Sequence, residues 1–278
     1  MQTITSATIM DFARHLKLAE KSEATIAKYT HDVCKFAEYL GVAPLTKESV
    51  IDYKTKLRAD GRATIGINAV IAALNSFLDF AELSELKIKP YKVQRAQFRN
   101  SNRERTREEY NRLLTAALNS SNRQLWLIIQ TICSTGLRVS ELRFVTVEAV
   151  RTKQVVATNK GKTRVVPLTD KLCAKLTKYI YKEGLTAGSV FLGRDHQPIG
   201  RYTVWREMKK LCGKAGVESK KVFPHNLRHL FAVSFYVKSR DIVKLAALLG
   251  HSDVNTTRIY TLESDEVYRA GLDLGLVA

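Results

Sequence analysis

The sequence predicts a mainly helical protein with a small β-element in its second part. Apolar residues recur at helical spacing through most of the 278 residues. Two short β-prone stretches flank the turn residues 160–162, as in a hairpin. A basic, proline-containing stretch at 87–105 interrupts the helical pattern. We therefore expect two domains joined by a linker, at 1–86 and 106–278.

The first domain is predicted to be helical. Helical spacing is clear in three stretches: 22–40, 46–58 and 65–83. Ser22 and Thr46 are the expected N-caps of the first two. Glu48 lies in a first turn, where the helix dipole favours a carboxylate, but too close to Thr46 for a full capping box. The third stretch has few charges, which predicts a well-buried helix.

The segment 87–105 is basic and lacks helical periodicity. Such a composition is typical both of interdomain linkers and of arms that bind nucleic acid. Its candidate DNA-binding residues are Lys87, Lys89, Lys92, Arg95 and Arg99.

The second domain begins with a Thr-x-x-Glu capping box at Thr106 and Glu109. A buried helix is expected at 124–134, a further helix through Leu142, and strands at 155–158 and 163–168. Five later helices are predicted at 170–181, 202–215, 225–238, 241–249 and 255–260.

The charge balance favours a polyanionic partner. The chain has 45 Lys+Arg against 27 Asp+Glu, a net charge of +18. Charge alone does not show whether the partner is DNA, RNA or an anionic membrane. It is also compatible with a basic protein that has no specific partner. Four scattered cysteines indicate reduced thiols, and no signal peptide or membrane span is evident. We expect a soluble cytoplasmic protein with no membrane partner.

Two of four clusters in the second domain offer cations. Arg138 lies in TGLRVSEL, where Gly136 can end one helix and leave the arginine at a junction facing a cleft. A surface arginine at a helix joint is the alternative. Lys160 lies at the hairpin tip, where it is either simply solvated or carried to a phosphate or leaving oxygen.

The other two clusters add histidines and a tyrosine. His225 and Arg228 share one face at a helix start after Pro224, a suitable site for a phosphate oxyanion, although an H-x-x-R pair is more often incidental. Gly250 ends a helix before His251, and Tyr260 follows nine residues later. A single tyrosine at helical spacing is more often packed than nucleophilic.

In chain order, however, the clusters form the pattern Arg, Lys, His-x-x-Arg, Gly-His, Tyr. TGLRVSEL, PHNLRH and LLGHSDVNTTRIY closely resemble the three boxes of the tyrosine recombinase (phage integrase) family, nearest to its short Xer-like members. NKGKTRVVPL resembles the family's lysine-bearing β-turn. The resemblance covers roughly 106–261, and it implies a catalytic domain preceded by a SAM-like core-binding domain.

The resemblance implies a site-specific recombinase that works through a 3′-phosphotyrosyl intermediate without a cofactor or metal. Tyr260 is then the nucleophile, Arg138 and Arg228 grip the phosphate, and Lys160 is the general acid. His225 is a proton acceptor or oxyanion donor, His251 a second donor to the phosphate, and Glu141 a supporting carboxylate. The hairpin is one residue shorter than the common pattern, which favours Lys160 over Lys162.

The resemblance also implies a clamp around double-stranded DNA at sites with inverted repeats. The family assembles as a homotetramer on DNA by exchange of the C-terminal segment, here 263–278; packing of that segment on its own subunit is the alternative. Residues 65–73 lack the family's usual basic side chains. A type IB topoisomerase-like relaxing enzyme and an inactive DNA-binding protein of the same fold remain competing interpretations.

Overall fold

The computed structural model describes residues 4–93, 106–159 and 161–261. The chain divides into two compact units, Met1–Arg95 and Ala96–Ala278. Both units are mainly helical and the second contains a two-stranded antiparallel sheet, which confirms the predicted fold class. The predictions for Arg95, Arg99, Lys160 and the segment 263–278 lie outside the described residues.

Over residues 4–93 the first unit contains four α-helices: α1 (Ser6–Leu18), α2 (Glu23–Leu40), α3 (Lys47–Ala59) and α4 (Thr64–Phe80). Ser22 caps α2 as predicted, its hydroxyl accepting from the Thr25 N–H. At α3 Glu48 lies in the first turn and does not complete a capping box, as its spacing predicted, but Ser49 does. The Ser49 hydroxyl accepts from the Thr46 N–H, while the Thr46 hydroxyl accepts from the Ser49 N–H. Serine therefore completes the box in place of the usual Glu or Gln.

The core of the first unit is centred on α4, which is buried on most of its length as its low charge predicted. Phe12 of α1 meets Phe77 of α4 edge-on, with ring centroids 5.4 Å apart. Phe36 and Val33 of α2 are also fully buried in this cluster. A 3₁₀ turn, Ser84–Leu86, follows α4.

The chain after that turn remains bound to the first unit. The Asn75 side chain donates to the Ile88 carbonyl (2.9 Å) and accepts from its N–H (3.1 Å). Asn68 does the same for Tyr91, at 2.9 and 2.8 Å. Two amide side chains of α4, seven residues apart, therefore satisfy the backbone N–H and carbonyl groups of residues 88 and 91. Ile88 itself is only 7% exposed.

The second unit contains eight helices and one hairpin among its described residues: α5 (Arg107–Asn119), α6 (Arg123–Thr135), α7 (Val147–Arg151), β1 (Gln154–Asn159), β2 (Lys162–Pro167), α8 (Asp170–Lys182), α9 (Arg201–Lys210), α10 (Cys212–Ala215), α11 (Pro224–Ser239) and α12 (Ile242–Leu249). Thr106 and Glu109 form the predicted capping box of α5. The predicted buried helix is α6, which packs against α5, α8 and α11. The strands pair in antiparallel register, with Asn159 opposite Lys162.

Three predicted helices have a different form. The stretch 202–215 divides into α9 and α10 at Leu211, close to Gly213, whose lack of a side chain weakens a continuous helix. The predicted helix through Leu142 is a 3₁₀ segment, Val139–Phe144. In place of the predicted helix 255–260 the structure has two 3₁₀ turns, Val254–Thr256 and Arg258–Tyr260. The first begins after Asp253, whose side chain accepts from the Asn255 N–H and favours a local turn.

Within the described parts of the chain, no helix is both long and apolar enough to cross a lipid bilayer.

Candidate active site

Arg138 lies at the turn that follows α6. Gly136 ends the helix in the left-handed conformation at φ +67°, and a Cβ there would lie 2.5 Å from the Phe231 ring of α11. The chain therefore turns tightly against α11. Arg138 then starts the 3₁₀ segment with its side chain 31% exposed, facing out of the core as the junction predicted.

Glu141 is the carboxylate that fixes Arg138. It accepts from the Arg138 N–H (2.8 Å) through Oε2 and from Arg138 Nη1 (2.9 Å) through Oε1. Its side chain is 2% exposed. Glu141 was predicted to orient either a guanidinium or an imidazole, and in the structure it contacts guanidiniums.

A second arginine, Arg164 of β2, also binds Glu141. Its Nη1 and Nη2 donate to Oε1 and Oε2 of the carboxylate at 2.9 and 2.8 Å, a bidentate pair. Burial alone would raise the pKa of Glu141, but hydrogen bonds from Arg164 and Arg138 outweigh it, and the pKa lies below its ordinary value. Glu141 is therefore an anion held between two cations.

Arg228 lies on α11 with 2% exposure. Its Nη1 donates to the Gly136 carbonyl and its Nη2 to the Leu249 carbonyl, each at 2.7 Å. The guanidinium thus joins the ends of α6 and α12, whose last carbonyls lack helical partners. Burial, with repulsion from Arg138, lowers the pKa of Arg228 to about 10, so the group stays charged at neutral pH.

His225 lies one turn before Arg228, in the first turn of α11, and is exposed. Partial desolvation, then the charges of Arg228 and Arg138, lower the pKa of His225. The imidazole is therefore favoured in its neutral form, which can accept a proton.

His251 follows α12 and bridges two elements. Its Nε2 lies 3.2 Å from Arg228 Nη2, and its Nδ1 lies 2.9 Å from the Thr257 hydroxyl. Arginine can only donate, so Nε2 accepts and the ring proton is assigned to Nδ1, which donates to Thr257. Desolvation and the nearby charges of Arg228 and Arg138 lower the pKa of His251 to about 4. His251 is neutral in this state.

Tyr260 is 3% exposed and packs among apolar residues of α11 and α12. Its ring stacks on His251 at 6.4 Å and meets His229 edge-on at 4.9 Å. Burial raises the pKa of Tyr260, while the charges of Arg228 and Arg138 oppose that rise. The phenol therefore stays protonated at neutral pH and needs a base to become a nucleophile.

A cavity of about 290 Å³ opens beside these groups. Its wall includes Arg138 from the turn after α6, Lys162 and Arg164 from the hairpin, and His251 and Ser252 from the loop after α12. Five predicted residues therefore lie close enough to touch one another or to shift one another's pKa: Arg138, His225, Arg228, His251 and Tyr260. Glu141 supports this group through its contact with Arg138. A tyrosine hydroxyl beside two guanidiniums and an imidazole can carry nucleophilic attack on a phosphate.

Two residues of this site were not singled out from the sequence: Arg164 and Thr257. Arg164 lies two residues before buried Val166 on the same inward face of β2, opposite Ala157 of β1. A charged residue at an inward strand position is a detectable signal, because such a charge needs a buried partner. Thr257 is fully buried, but nothing in the sequence distinguishes it from Thr256.

The first-unit lysines predicted to bind DNA have different surroundings. Lys87, Lys89 and Lys92 are all exposed, and Lys87 is ion-paired with Asp79 at 2.9 Å. Beside them, Lys54 of α3 donates to the Lys89 carbonyl at 2.7 Å and its Nζ lies 4.0 Å from the Tyr91 ring centre.

Comparison with known proteins identifies the class. A sequence profile described as the phage integrase family matches residues 104–266, and a profile of the phage integrase N-terminal SAM-like domain matches 9–85. The tyrosine recombinase XerA of Pyrococcus furiosus is 31% identical over 269 residues, which cover 94% of this chain and 91% of that protein.

Two solved structures share the fold at low identity. One is the XerH site-specific recombinase bound to difH substrate in a pre-cleavage complex: TM-score 0.72, 18% identity, 98% of this chain and 85% of that chain. The other is a lambda integrase tetramer bound to a Holliday junction: TM-score 0.73, 18% identity, 93% of this chain and 77% of that chain.

The fold and the site define a DNA strand transferase with a tyrosine nucleophile. The chain belongs to the phage integrase family and is a site-specific tyrosine recombinase.

Proposed function

We propose that Tyr260 attacks a DNA phosphodiester and forms a 3′-phosphotyrosyl bond, releasing a 5′-hydroxyl. The single observation that carries this assignment is the packing of the Tyr260 ring against His251, whose Nε2 lies 3.2 Å from Arg228 Nη2. A phosphate that binds Arg228 would therefore lie close to the Tyr260 side chain. The new ester keeps the energy of the broken bond, so a second 5′-hydroxyl can reverse the reaction without ATP.

Arg138 and Arg228 are proposed to stabilise the transition state. The planar geometry of each guanidinium matches two non-bridging phosphate oxygens. Arg138 is the more exposed of the two and borders the cavity, so it would meet the phosphate first. Arg228, fixed by two backbone carbonyls, would provide the rigid side of the site.

Proton transfer is assigned to the histidines and Lys160. His225, whose pKa is lowered, can accept the Tyr260 proton at neutral pH. His251 at present accepts from Arg228, so its role as a donor to the phosphate requires a proton on Nε2. A phosphate that takes over the Arg228 contact would permit that change. Lys160, outside the described residues, is proposed to protonate the leaving 5′-oxygen.

Double-stranded DNA is the proposed partner, at sites with inverted repeats. The charge of +18 favours phosphate contacts, and the exposed Lys89 and Lys92, together with Arg95 and Arg99, would supply some of them. Lys87 is a weaker candidate because Asp79 already neutralises it. Lys54 and its neighbour Arg58 extend the same basic surface along α3.

Assembly and role are proposed by analogy. The lambda integrase structure is a tetramer on a Holliday junction, and we propose a homotetramer here, joined by exchange of 263–278. The protein would act on cytoplasmic DNA, in integration, excision or resolution.

The experiment starts from the Tyr260→Phe protein, which selects bound sequences from a random duplex library. A nicked suicide duplex carrying the selected site is then incubated with wild type. A covalent protein–DNA adduct is expected with wild type and not with Tyr260→Phe. An adduct that persists in the variant would overturn the assignment of the nucleophile.

A two-site substrate then separates recombination from relaxation. Exchange of flanking DNA between two copies of the site supports the recombinase. Relaxation of supercoiled plasmid without exchange would support the topoisomerase-like alternative, and binding without any adduct would support the inactive DNA-binding protein.

A further inference from the structure

We propose that Arg164 is a positioning residue of this site: it aligns Arg138 through Glu141 and fixes the turn that carries His251. This inference rests on the proposed roles of Arg138 and His251. It assigns no contact between Arg164 and DNA.

The first observation is the way in which Arg164 is bound. Its side chain is 11% exposed, and three of its nitrogens donate to defined acceptors. Nη1 and Nη2 grip the Glu141 carboxylate, and Nε donates to the Leu248 carbonyl at 2.9 Å. One planar group thus connects β2, the turn after α6 and the end of α12. A bidentate pair fixes both the distance and the plane of the carboxylate.

The second observation is that Arg138 depends on the same carboxylate. Glu141 Oε1 accepts from Nη1 of both Arg138 and Arg164, each at 2.9 Å. The orientation of the Arg138 guanidinium therefore follows that of the carboxylate, which the bidentate contact with Arg164 sets. Without Arg164, Glu141 could rotate and Arg138 would lose its fixed direction.

The third observation is the close approach at Gly250. This glycine precedes His251 and has φ +65°; a Cβ there would lie 2.8 Å from Arg164 Cδ and 3.0 Å from its Nη1. The backbone thus turns directly over the Arg164 side chain before it delivers His251. The absence of a side chain at Gly250 permits this contact.

Lysine cannot replace these contacts. Its ammonium would keep a positive charge near Glu141, but it lacks the planar arrangement needed to bind both carboxylate oxygens and the Leu248 carbonyl at once. Arg164→Lys therefore keeps the positive charge near Glu141 and removes the planar hydrogen-bonding arrangement, so its effect reports on the arrangement alone. Arg164→Ala removes both and leaves the buried Glu141 with one fewer partner.

The test measures single-turnover cleavage of the suicide duplex by wild type, Arg164→Lys and Arg164→Ala at saturating protein, well below the unfolding temperature of each. Because small misplacements of reacting groups are costly, we expect Arg164→Lys to cleave about 10- to 100-fold more slowly. Arg151→Lys, at an exposed position at the end of α7, is the matched control and should cleave like wild type. Equal rates for Arg164→Lys and wild type would overturn the proposal.

A substrate with a sulfur in place of the leaving 5′-oxygen identifies the step affected. A thiolate leaves without a general acid. If Arg164 acts on Arg138 and His251, the defect persists with the sulfur substrate. Full recovery with sulfur would overturn the proposal, because it would assign the defect to protonation of the leaving group.

A third measurement needs no DNA and no activity. Arg164 is one of the charges that lower the pKa of His251. In an NMR titration of the DNA-free protein, Arg164→Ala should raise the pKa of His251, and its ring nitrogens should report a changed hydrogen-bonding pattern. Unchanged His251 signals would refute the positioning role. If the wild-type protein forms no adduct while Arg164→Ala still raises the pKa of His251, the proposed function alone is refuted.

Discussion

Acidification should destabilise the second unit through His251. The pKa of His251 falls from an ordinary 6.5 to about 4 in the folded protein. Above pH 6.5 the ring is neutral in both the folded and unfolded states and contributes no pH dependence. Between pH 6.5 and 4 the unfolded chain binds a proton that the folded protein excludes, so stability falls as the pH is lowered. The full difference corresponds to about 3 kcal/mol.

The assay is urea unfolding at pH 7, 5.5 and 4, monitored by the fluorescence of Trp126 and Trp205, the two tryptophans of the chain. Both lie in the second unit, so the signal reports on that unit. His251→Gln keeps an acceptor for Arg228 but does not titrate. We expect wild type to lose about 2–3 kcal/mol more than this variant between pH 7 and 4.

The matched control is His31→Gln, at an exposed position on α2 of the first unit. It should lose as much stability in the second unit as wild type does. If wild type and His251→Gln lose the same free energy of unfolding on acidification, the desolvated environment assigned to His251 is wrong.

Three further predictions concern single contacts. Thr257→Val leaves the Nδ1–H of His251 without its acceptor and should cost about 1–3 kcal/mol in urea unfolding, with slower adduct formation; an unchanged stability would contradict the assigned tautomer. Arg228→Lys removes the guanidinium's hydrogen bonds to two backbone carbonyls. It should reduce the rate of single-turnover cleavage by at least about 100-fold, as expected when a preorganised donor is removed. A rate within a few-fold of wild type would refute the role of Arg228. Lys54→Ala with Arg58→Ala should reduce the slope of log Kd against log salt by about 1.8 if both contact phosphates, and leave it unchanged if neither does.

Patterns that repeat along the chain were predictable. Helical spacing located α2, α4 and α6, and local capping chemistry located the starts of α2 and α5. These features depend on residues close in sequence, and the spacing of such residues predicts the local structure. The two 3₁₀ turns that end at Tyr260 were not predicted, because the Asp253 side chain accepts from the Asn255 N–H and competes there with a regular helix.

The residues of the candidate site could be proposed from the sequence, but most of the contacts between them could not. The order of Arg138, His225, Arg228, His251 and Tyr260 points to one reaction through the family resemblance. Nothing local indicates that Glu141 lies between two arginines, because Arg164 comes from a strand 23 residues later in the chain. The proton position on His251 likewise depends on which neighbours the fold supplies. Long-range polar contacts need the three-dimensional structure.

The central claim is that Tyr260 becomes covalently bound to DNA. Its most direct test is mass spectrometry of the adduct after digestion with trypsin and nuclease. The expected result is a nucleotide linked through a 3′-phosphate to Tyr260. A nucleotide on Tyr268, or on any residue other than Tyr260, would contradict the account.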